Sequence, residues 1–229
     1  MSTAAPRALI LSGAGRYADP WHPFDQTSAR IAAVLGAEGF DVEVATDVDS
    51  RMAELGDSDG HVVPDLVVVN IGEPGTPDAQ AEARGRAGLL DYLASGGPLL
   101  VMHVSSTSLD GVPEWEQIVG GIWVRGTTMH PDFGLARIHV YPERHPIVAG
   151  IQDFSVLDEE YTYLRTDPKL VPLATHRHDG DEHPLIWARE YGRSRVVYDA
   201  LGHDERSYDS PEHRLIIARA ARWLIGALA

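Results

Sequence analysis

The sequence predicts an α/β protein with a doubly wound, mostly parallel sheet and a β-rich C-terminal extension. Short apolar runs alternate with helical segments from residue 8 to residue 103, as expected for strands joined by crossover helices. Beyond residue 120, strand-like runs follow one another without long helices between them. Buried strands connected by helices form parallel sheets with helices on both faces. The two patterns together predict a parallel sheet that continues into further strands.

Four strands and two helices are predicted in the N-terminal half. The strands are expected at residues 8–11, 41–45, 65–70 and 98–103, because each is a short apolar or β-branched run. The first helix, residues 27–38, carries apolar side chains at helical spacing and stops at Gly39. The second helix is predicted to begin with Thr76 as N-cap and Pro77 at its first position, and to end at Gly96.

The C-terminal half is predicted to hold a short helix, four strands and a final helix. The short helix lies around Trp115–Val119, and the strands are expected at 136–141, 170–175, 184–188 and 195–201. Ser210 as N-cap and Pro211 at the first helical position start the last helix. Its predicted buried side chains are Leu215, Ile216, Ala220, Trp223 and Leu224. Because no repeat or linker interrupts the chain, a single domain over residues 1–229 is expected.

The composition is that of a globular protein and excludes several kinds of chemistry. Apolar residues make up 44% and charged residues 23% of the 229 residues, and the net charge is −15. Such an acidic chain is not expected to bind nucleic acid or an anionic membrane, which both need clustered Lys and Arg. The absence of Cys removes disulfides, thiolate metal sites and cysteine nucleophiles. With no signal peptide or membrane span recognisable, a cytoplasmic protein is expected.

Histidines follow two of the predicted parallel strands. His103 ends the fourth strand, and His203 follows the last one. Ligands of open parallel sheets bind beyond the carboxyl ends of the strands, so these imidazoles are predicted to converge as acid, base or ligand. Trp21 and His22, in the loop after the first strand, are expected to line the same pocket. The glycines that begin this loop do not open a helix directly, so no nucleotide cofactor is expected.

Other polar segments have simpler interpretations when each is taken alone. The residues around His130 and the acidic run at 158–160 are typical of solvated turns. The segment 176–183 contains three histidines, three acids and one Gly between two predicted strands. This packing into one turn favours a solvated hairpin tip over a metal site.

Several short motifs follow one another in a definite order, most densely from Gly96 to Trp223. They are Gly96-Gly97, His103, Trp115 with Gly120-Gly121, His130-Pro131, His145-Pro146-Ile147 with Gly150, Asp158-Glu159-Glu160-Tyr161, Trp187, Tyr191-Gly192-Arg193 with Arg195-Val196, and Gly202-His203. This order and spacing resembles the trehalose-utilisation (ThuA-like) family, related in fold to class I glutamine amidotransferases and flavodoxin-like sheets. The resemblance implies a pocket at the carboxyl edge of the sheet. It also implies that the polar cluster of this pocket is His103, His130, Glu159 and His203.

The missing cysteine becomes informative beside this resemblance. In the amidotransferases a thiolate sits on the sharp turn after a strand, where this chain has His103-Val104-Ser105. Without a thiol no glutaminyl thioester can form, so glutamine hydrolysis is excluded. A serine hydrolase using Ser105 or Ser106 is a minor alternative, because the flanking residues do not form a G-x-S-x-G elbow.

The chemistry left to three histidines and a glutamate is acid–base, with or without a metal. His103 and His203 are predicted as general base and acid, while His130 and Glu159 orient them or join them on a divalent, zinc-like ion. The predicted substrate-binding residues are Trp21, His22, Ser105, Trp123 and Tyr161. The family's association with sugar pathways implies a glycoside or keto-sugar substrate, processed by a lyase, hydrolase or isomerase.

The main alternative is a non-catalytic protein that binds a sugar or another small metabolite on a degenerate amidotransferase-like fold. Catalysis requires at least two members of the polar cluster within hydrogen-bond reach of each other or around one ion. The expected partner in either case is a small carbohydrate-like molecule. Exposed edge strands in the β-rich half also make a homodimer an expectation.

Overall fold

The computed structural model describes residues 4–56, 62–76 and 78–228, and within them a nine-stranded sheet forms the centre. The strands are β1 Arg7–Ser12, β2 Asp41–Ala45, β3 Leu66–Asn70, β4 Leu99–Met102, β5 Gly121–Ile122, β6 Gly134–Val140, β7 Phe154–Asp158, β8 Arg165–Thr166, β9 Pro172–His178, β10 Asp181–Tyr191 and β11 Ser194–Asp199. The α-helices are α1 Phe24–Ala37, α2 Val48–Glu54, α3 Ala79–Ser95, α4 Trp115–Val119 and α5 Pro211–Leu224.

The sheet has a parallel half and an antiparallel half. Its order is β2-β1-β3-β4-β11-β10-β9-β6-β7. The first five strands pair in parallel, and the remaining pairings are antiparallel. β5 and β8 form a separate two-stranded sheet. The predicted α/β class, with a parallel sheet that continues into a β-rich extension, is therefore confirmed.

The parallel strands form because their side chains are apolar on both faces. Every residue of β3 and β4 is buried, as expected for strands covered by helices on both sides. α3 begins two positions later than the sequence suggests: Asp78 is the N-cap and its carboxylate accepts hydrogen bonds from the N–H groups of Gln80 and Ala81. The predicted N-cap Thr76 is therefore wrong, and Pro77 lies outside the described residues. Gly96 ends the helix in the left-handed conformation, as predicted.

The last helix begins as predicted but buries a slightly different face. Ser210 is the N-cap of α5 and Pro211 is its first residue. Ile216, Ala220 and Leu224 are buried, but Leu215 is exposed and Trp223 is only partly buried, which corrects the predicted burial of these two side chains. Four elements, α2, β5, β7 and β8, lie outside the predicted set. None of the helices in the described ranges combines the length and apolar character needed to cross a membrane.

The carboxyl ends of β1, β3, β4 and β11 meet at one edge of the sheet. Directly after β4 the chain turns into a short 3-10 helix, His103–Thr107, and His103 has a φ of 45°. A non-glycine residue in this left-handed region is strained and persists only where surrounding contacts hold it. The edge is thus shaped by a sharp elbow whose first residue is a histidine.

Candidate active site

Four side chains from four different loops come together at this edge. His22 lies in the loop after β1, His103 follows β4, His203 follows β11, and Glu159 follows the antiparallel strand β7. One nitrogen or oxygen atom from each lies within 4.8 Å of those of the other three. Strand ends of the parallel half supply the imidazoles, whereas the antiparallel half supplies the carboxylate.

Glu159 is the point where three histidines meet. Its Oε2 atom is 3.2 Å from Nδ1 of His203 and 3.5 Å from Nε2 of His103. Its other oxygen, Oε1, is 3.5 Å from Nε2 of His130. The residue is only 7% exposed, so these interactions take place in a partly desolvated environment where charges interact strongly.

Backbone and side-chain hydrogen bonds fix the tautomer of His103. Its Nδ1 is 2.6 Å from the carbonyl oxygen of Ala200, an acceptor only, so Nδ1 carries the proton. Nε2 then accepts a hydrogen bond from the hydroxyl of Tyr161 at 2.9 Å. The imidazole of the elbow residue is therefore held from both sides, with its Nε2 lone pair directed toward Tyr161 and Glu159.

His22 is held by an acidic neighbour in its own loop. Its Nδ1 lies 2.8 and 2.9 Å from the two carboxylate oxygens of Asp19. The same carboxylate accepts hydrogen bonds from the N–H groups of Trp21 and His22, an Asx-type turn that stabilises the loop. The ring packs edge-on against His103 and His203, with centroids 5.0 and 4.9 Å away. Asp19 thus turns Nε2 of His22 toward the other imidazoles.

Asp158 ties the loop of Glu159 to the loop of His203. Its buried carboxylate accepts hydrogen bonds from the backbone N–H groups of Glu159, Gly202 and His203 at 2.9, 2.8 and 3.1 Å. The hydroxyl of Ser207 donates to the same group. Because one carboxylate holds both chain segments, the spacing between Glu159 and His203 is set by the backbone rather than by flexible side chains.

The pKa values of the cluster are shifted in opposite directions. Burial raises the pKa of Glu159, but His103 and His203 outweigh it and hold that pKa far below its usual range. Burial lowers the pKa of His203, yet Glu159 more than reverses this, so the pKa is raised. Burial lowers the pKa of His22, and it stays low despite the opposing effect of Asp19. Environments that separate the pKa values of adjacent groups are typical of acid–base sites.

A cavity of about 900 Å³ opens above this cluster. Its volume is in the range of small-molecule sites, and its walls combine aromatic with polar side chains. His22, His130, Glu159 and His203 line it together with Trp21, Trp123 and Tyr161. Trp123 packs edge-on against Tyr161 with centroids 4.7 Å apart. The cluster is thus accessible to a ligand from one side.

Most of the predicted site residues contribute to this region, but two assignments change. Ser105, predicted to bind substrate, is fully buried: its Oγ accepts a hydrogen bond from the N–H of Ile71 and donates to the carbonyl of Ile71. The 3-10 turn directs Ser105 into the core, and Ser106 is equally buried beneath Tyr198, which removes the serine-nucleophile alternative.

The second change concerns the predicted ligand set. The group of mutually close donor atoms contains His22 in place of His130, which contacts only the outer oxygen of Glu159. His130 donates from Nδ1 to the carbonyl of Pro131, and its Nε2 faces the cavity side of the carboxylate. His130 is therefore an outer member of the cluster, and His22 is an inner one.

Sequence reasoning did not find Asp19, Asp158 or the ion pair between Arg125 and Glu73 at the cavity wall. The Asp-x-x-His spacing of Asp19 and His22 was a usable signal, since aspartate in loops commonly binds N–H groups two or three residues ahead. Asp158 gave no such signal, because a buried aspartate inside an acidic run cannot be told from its solvated neighbours.

The sheet order and the strained residue after β4 define an α/β protein built like the class I glutamine amidotransferases. The structure of PurLQS from Thermotoga maritima is similar over 96% of this chain and 99% of that chain, with a TM-score of 0.58 and 12% identity.

The family described as ThuA, trehalose utilisation, matches residues 7–224, and the chain belongs to it. A ThuA-like protein from Parabacteroides merdae is similar in structure, with a TM-score of 0.75 and 18% identity over 98% of this chain and 91% of that chain. One from Bacteroides uniformis has a TM-score of 0.72 and 17% identity, covering 98% and 94%. No curated protein matches the sequence.

Proposed function

We propose that the protein is an enzyme that acts on a glycoside or a keto-sugar derivative through His and Glu acid–base chemistry. The observation that carries this proposal is the position of Glu159, 3.2–3.5 Å from three imidazoles and beside a cavity that His130 and His203 also line. Groups with exchangeable protons, in contact with one another and open to a ligand, are what general acid–base catalysis requires. The family's description as trehalose utilisation supports a sugar-derived substrate.

The cavity walls fit such a substrate. Trp21 and Trp123 present flat aromatic surfaces, and the polar groups lie mainly at the cluster. A sugar ring has apolar C–H faces and polar edges, so it can stack on an indole while its hydroxyl or carbonyl oxygens meet the histidines. This division between apolar walls and a polar cluster supports a ring-shaped, oxygen-rich ligand.

His130 is the side chain best placed to exchange a proton with the substrate. It lines the cavity, its Nδ1–H is bound by the carbonyl of Pro131, and its free Nε2 is 3.5 Å from Glu159. In a keto sugar the C–H bond next to the carbonyl is acidic. Nε2 of His130 would take that proton, and the C–H electron pair would move onto the carbonyl oxygen to form an enolate.

His203 would complete the reaction from the same cavity. If a proton is returned to the former carbonyl carbon, and the proton of the adjacent hydroxyl group passes to the original carbonyl oxygen, the C=O group moves by one carbon and the enzyme is an isomerase. Expulsion of an alcohol from the next carbon, with a proton delivered to its oxygen, breaks a C–O bond and forms a C=C bond, which gives a lyase. His103, assigned as general base from the sequence, is buried between Ala200 and Tyr161, so we assign it a positioning role.

Proton abstraction can be measured even when no net reaction occurs. Purified protein is incubated in D₂O with a panel of glycosides and keto-glycosides, and exchange at the carbon next to the carbonyl is followed by NMR. We expect exchange or conversion of at least one keto-glycoside, reduced at least about 100-fold in His130→Gln. Glu160→Gln, a change in the same acidic run but outside the cluster, is the matched control and keeps the activity.

Two results would count against the proposal. If a panel member raises the melting temperature by mass action but is neither exchanged nor converted, the protein binds sugars without catalysis. If His130→Gln and His203→Ala both leave conversion intact, the chemistry takes place elsewhere.

A further inference from the structure

Two buried nitrogen atoms at the cluster have no partner within the described part of the chain. They are Nε2 of His22 and Nδ1 of His203; the latter is 3.2 Å from Glu159 but not in hydrogen-bonding geometry. Buried polar atoms are almost always paired, and an unpaired one in a folded protein indicates a missing water or ion. Both atoms belong to the group of four whose donor atoms lie within 4.8 Å of one another.

The orientation of the imidazoles points to the same conclusion. The Nδ1–H groups of His22 and His103 are bound on the outside of the cluster by Asp19 and the Ala200 carbonyl. The Nε2 atoms of both rings therefore face the inside of the cluster, and that of His103 also contacts the hydroxyl of Tyr161. Histidine ligands of metal ions have this arrangement, in which a carboxylate or carbonyl fixes the distal N–H.

The central carboxylate also suits a cation. Glu159 places a negative charge among the three inner rings, and its Oε2 is 3.2 Å from Nδ1 of His203 and 3.5 Å from Nε2 of His103. Nε2 of His103 accepts a hydrogen bond from the hydroxyl of Tyr161, and a bound ion would take the place of that hydrogen bond. One divalent ion among these four side chains would balance the carboxylate and give the unpaired nitrogens a partner.

We propose that His22, His103, Glu159 and His203 bind one divalent transition-metal ion of the zinc type, with Asp19 as a positioning residue. Three nitrogens and one carboxylate oxygen suit Zn²⁺, Co²⁺, Mn²⁺ or Fe²⁺, whereas Mg²⁺ and Ca²⁺ prefer oxygen ligands. The proposal deepens the function given above and rests on it for the use of the ion, while metal binding itself is tested independently.

His130 is excluded from the ligand set and keeps its own role. It reaches only Oε1 of Glu159, on the cavity side. A bound ion would supply positive charge that polarises the substrate's carbonyl oxygen. His130 would then remain free to take the proton, with Glu159 in contact with both the ligand set and the base.

Metal binding is measured on the whole protein after removal of metals with a chelator. Titration with Co²⁺ followed by visible absorption, and with Zn²⁺ in competition, gives stoichiometry and affinity without any substrate. We expect one ion per chain and a Co²⁺ spectrum typical of low-coordinate nitrogen and oxygen ligation. Asp19→Asn should weaken binding about 10–100-fold, and His22→Gln at least as much.

The matched controls are other histidines of the same chain. His130→Gln, next to Glu159 but outside the proposed ligand set, should keep the metal affinity within about threefold. This variant also distinguishes the ligand set proposed here, which contains His22, from the set predicted from the sequence, which contains His130. His183→Gln, in the β9–β10 hairpin, should leave it unchanged. Circular dichroism of the metal-free variants confirms that each one folds, so that a lost affinity is not lost structure.

Each result decides the proposal. The absence of stoichiometric Co²⁺ or Zn²⁺ binding overturns it, as does a His22→Gln protein that binds as tightly as wild type, or a His130→Gln protein that does not bind. Metal binding without proton exchange on any sugar would leave the metal site standing and contradict the proposed function. Proton exchange by a protein that fails to bind Co²⁺ or Zn²⁺ would support the proposed function and overturn the metal site.

Discussion

Two groups of histidines lie in this protein at similar spacing and in different surroundings. The inner rings of the cavity cluster, His22, His103 and His203, have centroids 4.9–5.6 Å apart. In the hairpin cluster, formed by His176, His178 and His183, the centroids of His176 and His183 are 5.3 Å apart and those of His178 and His183 are 6.3 Å apart. Spacing alone therefore does not distinguish a site from a structural group.

The difference lies in the carboxylate and in the outward hydrogen bonds. The cavity cluster encloses Glu159 and turns its lone pairs inward. In the hairpin cluster Glu160 is 3.9 Å from Nδ1 of His176 and Asp179 is 3.5 Å from Nε2 of His178, while Nε2 of His176 is satisfied by the carbonyl of Tyr161 at 3.0 Å. Nδ1 of His176 and Nε2 of His183 also lack a partner among the described residues, so an unpaired ring nitrogen alone does not distinguish the two clusters. The cavity cluster differs in the carboxylate at its centre and in the partners that aim its rings at that carboxylate.

The largest effect is expected from removing that anion. Glu159→Gln should reduce turnover of a keto-sugar substrate by at least about 1,000-fold. The proposed base His130 would lose its carboxylate neighbour, and the three inner imidazoles would lose the negative charge at their centre. Metal affinity should fall with it. Glu160→Gln changes the acid beside His176 of the hairpin cluster and should alter turnover less than about twofold. Steady-state kinetics of the two variants test this difference, and an equal loss of turnover in both would contradict it.

A smaller effect, on stability, is expected at the residue that joins the two site loops. Asp158→Asn leaves an amide group facing three backbone N–H groups, so we expect a loss of about 2–4 kcal/mol in the free energy of unfolding. Urea unfolding measures it. Asp153→Asn is the matched control, because Asp153 is exposed, and a change below about 0.5 kcal/mol is expected there. Similar losses for both would show that Asp158 is an ordinary turn residue.

The smallest effect concerns the hairpin cluster and depends on pH. Burial lowers the pKa of His176 to about 4, and the charges of neighbouring His183 and His178 also lower it. Between pH 6.5 and 4 the unfolded chain therefore binds a proton that the folded protein does not, so stability falls as the pH falls. His176→Gln should remove about 2 kcal/mol of this fall.

Unfolding free energies at pH 7.5 and pH 5 provide the measurement. His178→Gln removes only one of the neighbouring charges that lower the pKa of His176, so it should reduce the pH dependence by less than His176→Gln does. An unchanged slope in His176→Gln would mean that its ring is protonated in the folded protein, and the contrast between the two clusters would fail.

The parts of the site that follow parallel strands could be predicted from the sequence. His103 and His203 stand at the ends of apolar runs, and parallel strand ends converge whatever the loops do. His130 and Glu159 came only from the family resemblance, because each lies in a segment that is otherwise typical of a turn. The position of Trp21 and His22 in the loop after the first strand was enough to predict that they lie near the pocket. The turn formed by Asp19, which brings His22 into the inner cluster, was not predicted.

The sequence analysis failed at β7 and at Ser105, in each case for an identifiable physical reason. β7 alternates in the ordinary way only at its start, where Phe154 and Val156 are buried. At its end Leu157 is exposed and Asp158 is buried, so the apolar alternation is too short to predict a strand. Ser105 was mispredicted because a 3-10 turn, unlike an extended strand end, rotates its hydroxyl toward Ile71. Both errors come from tertiary contacts that local patterns do not encode.

The left-handed backbone at His103 implies a conflict between durability and activity at this one position. Such a conformation costs of the order of 1 kcal/mol for a side chain with a Cβ, and Gly or Asn would adopt it at lower cost. Laboratory evolution for heat resistance alone would therefore favour replacing His103 early and would disable the cluster while improving the fold. The elbow is a place where this protein gives up stability to hold a buried imidazole inside the cluster.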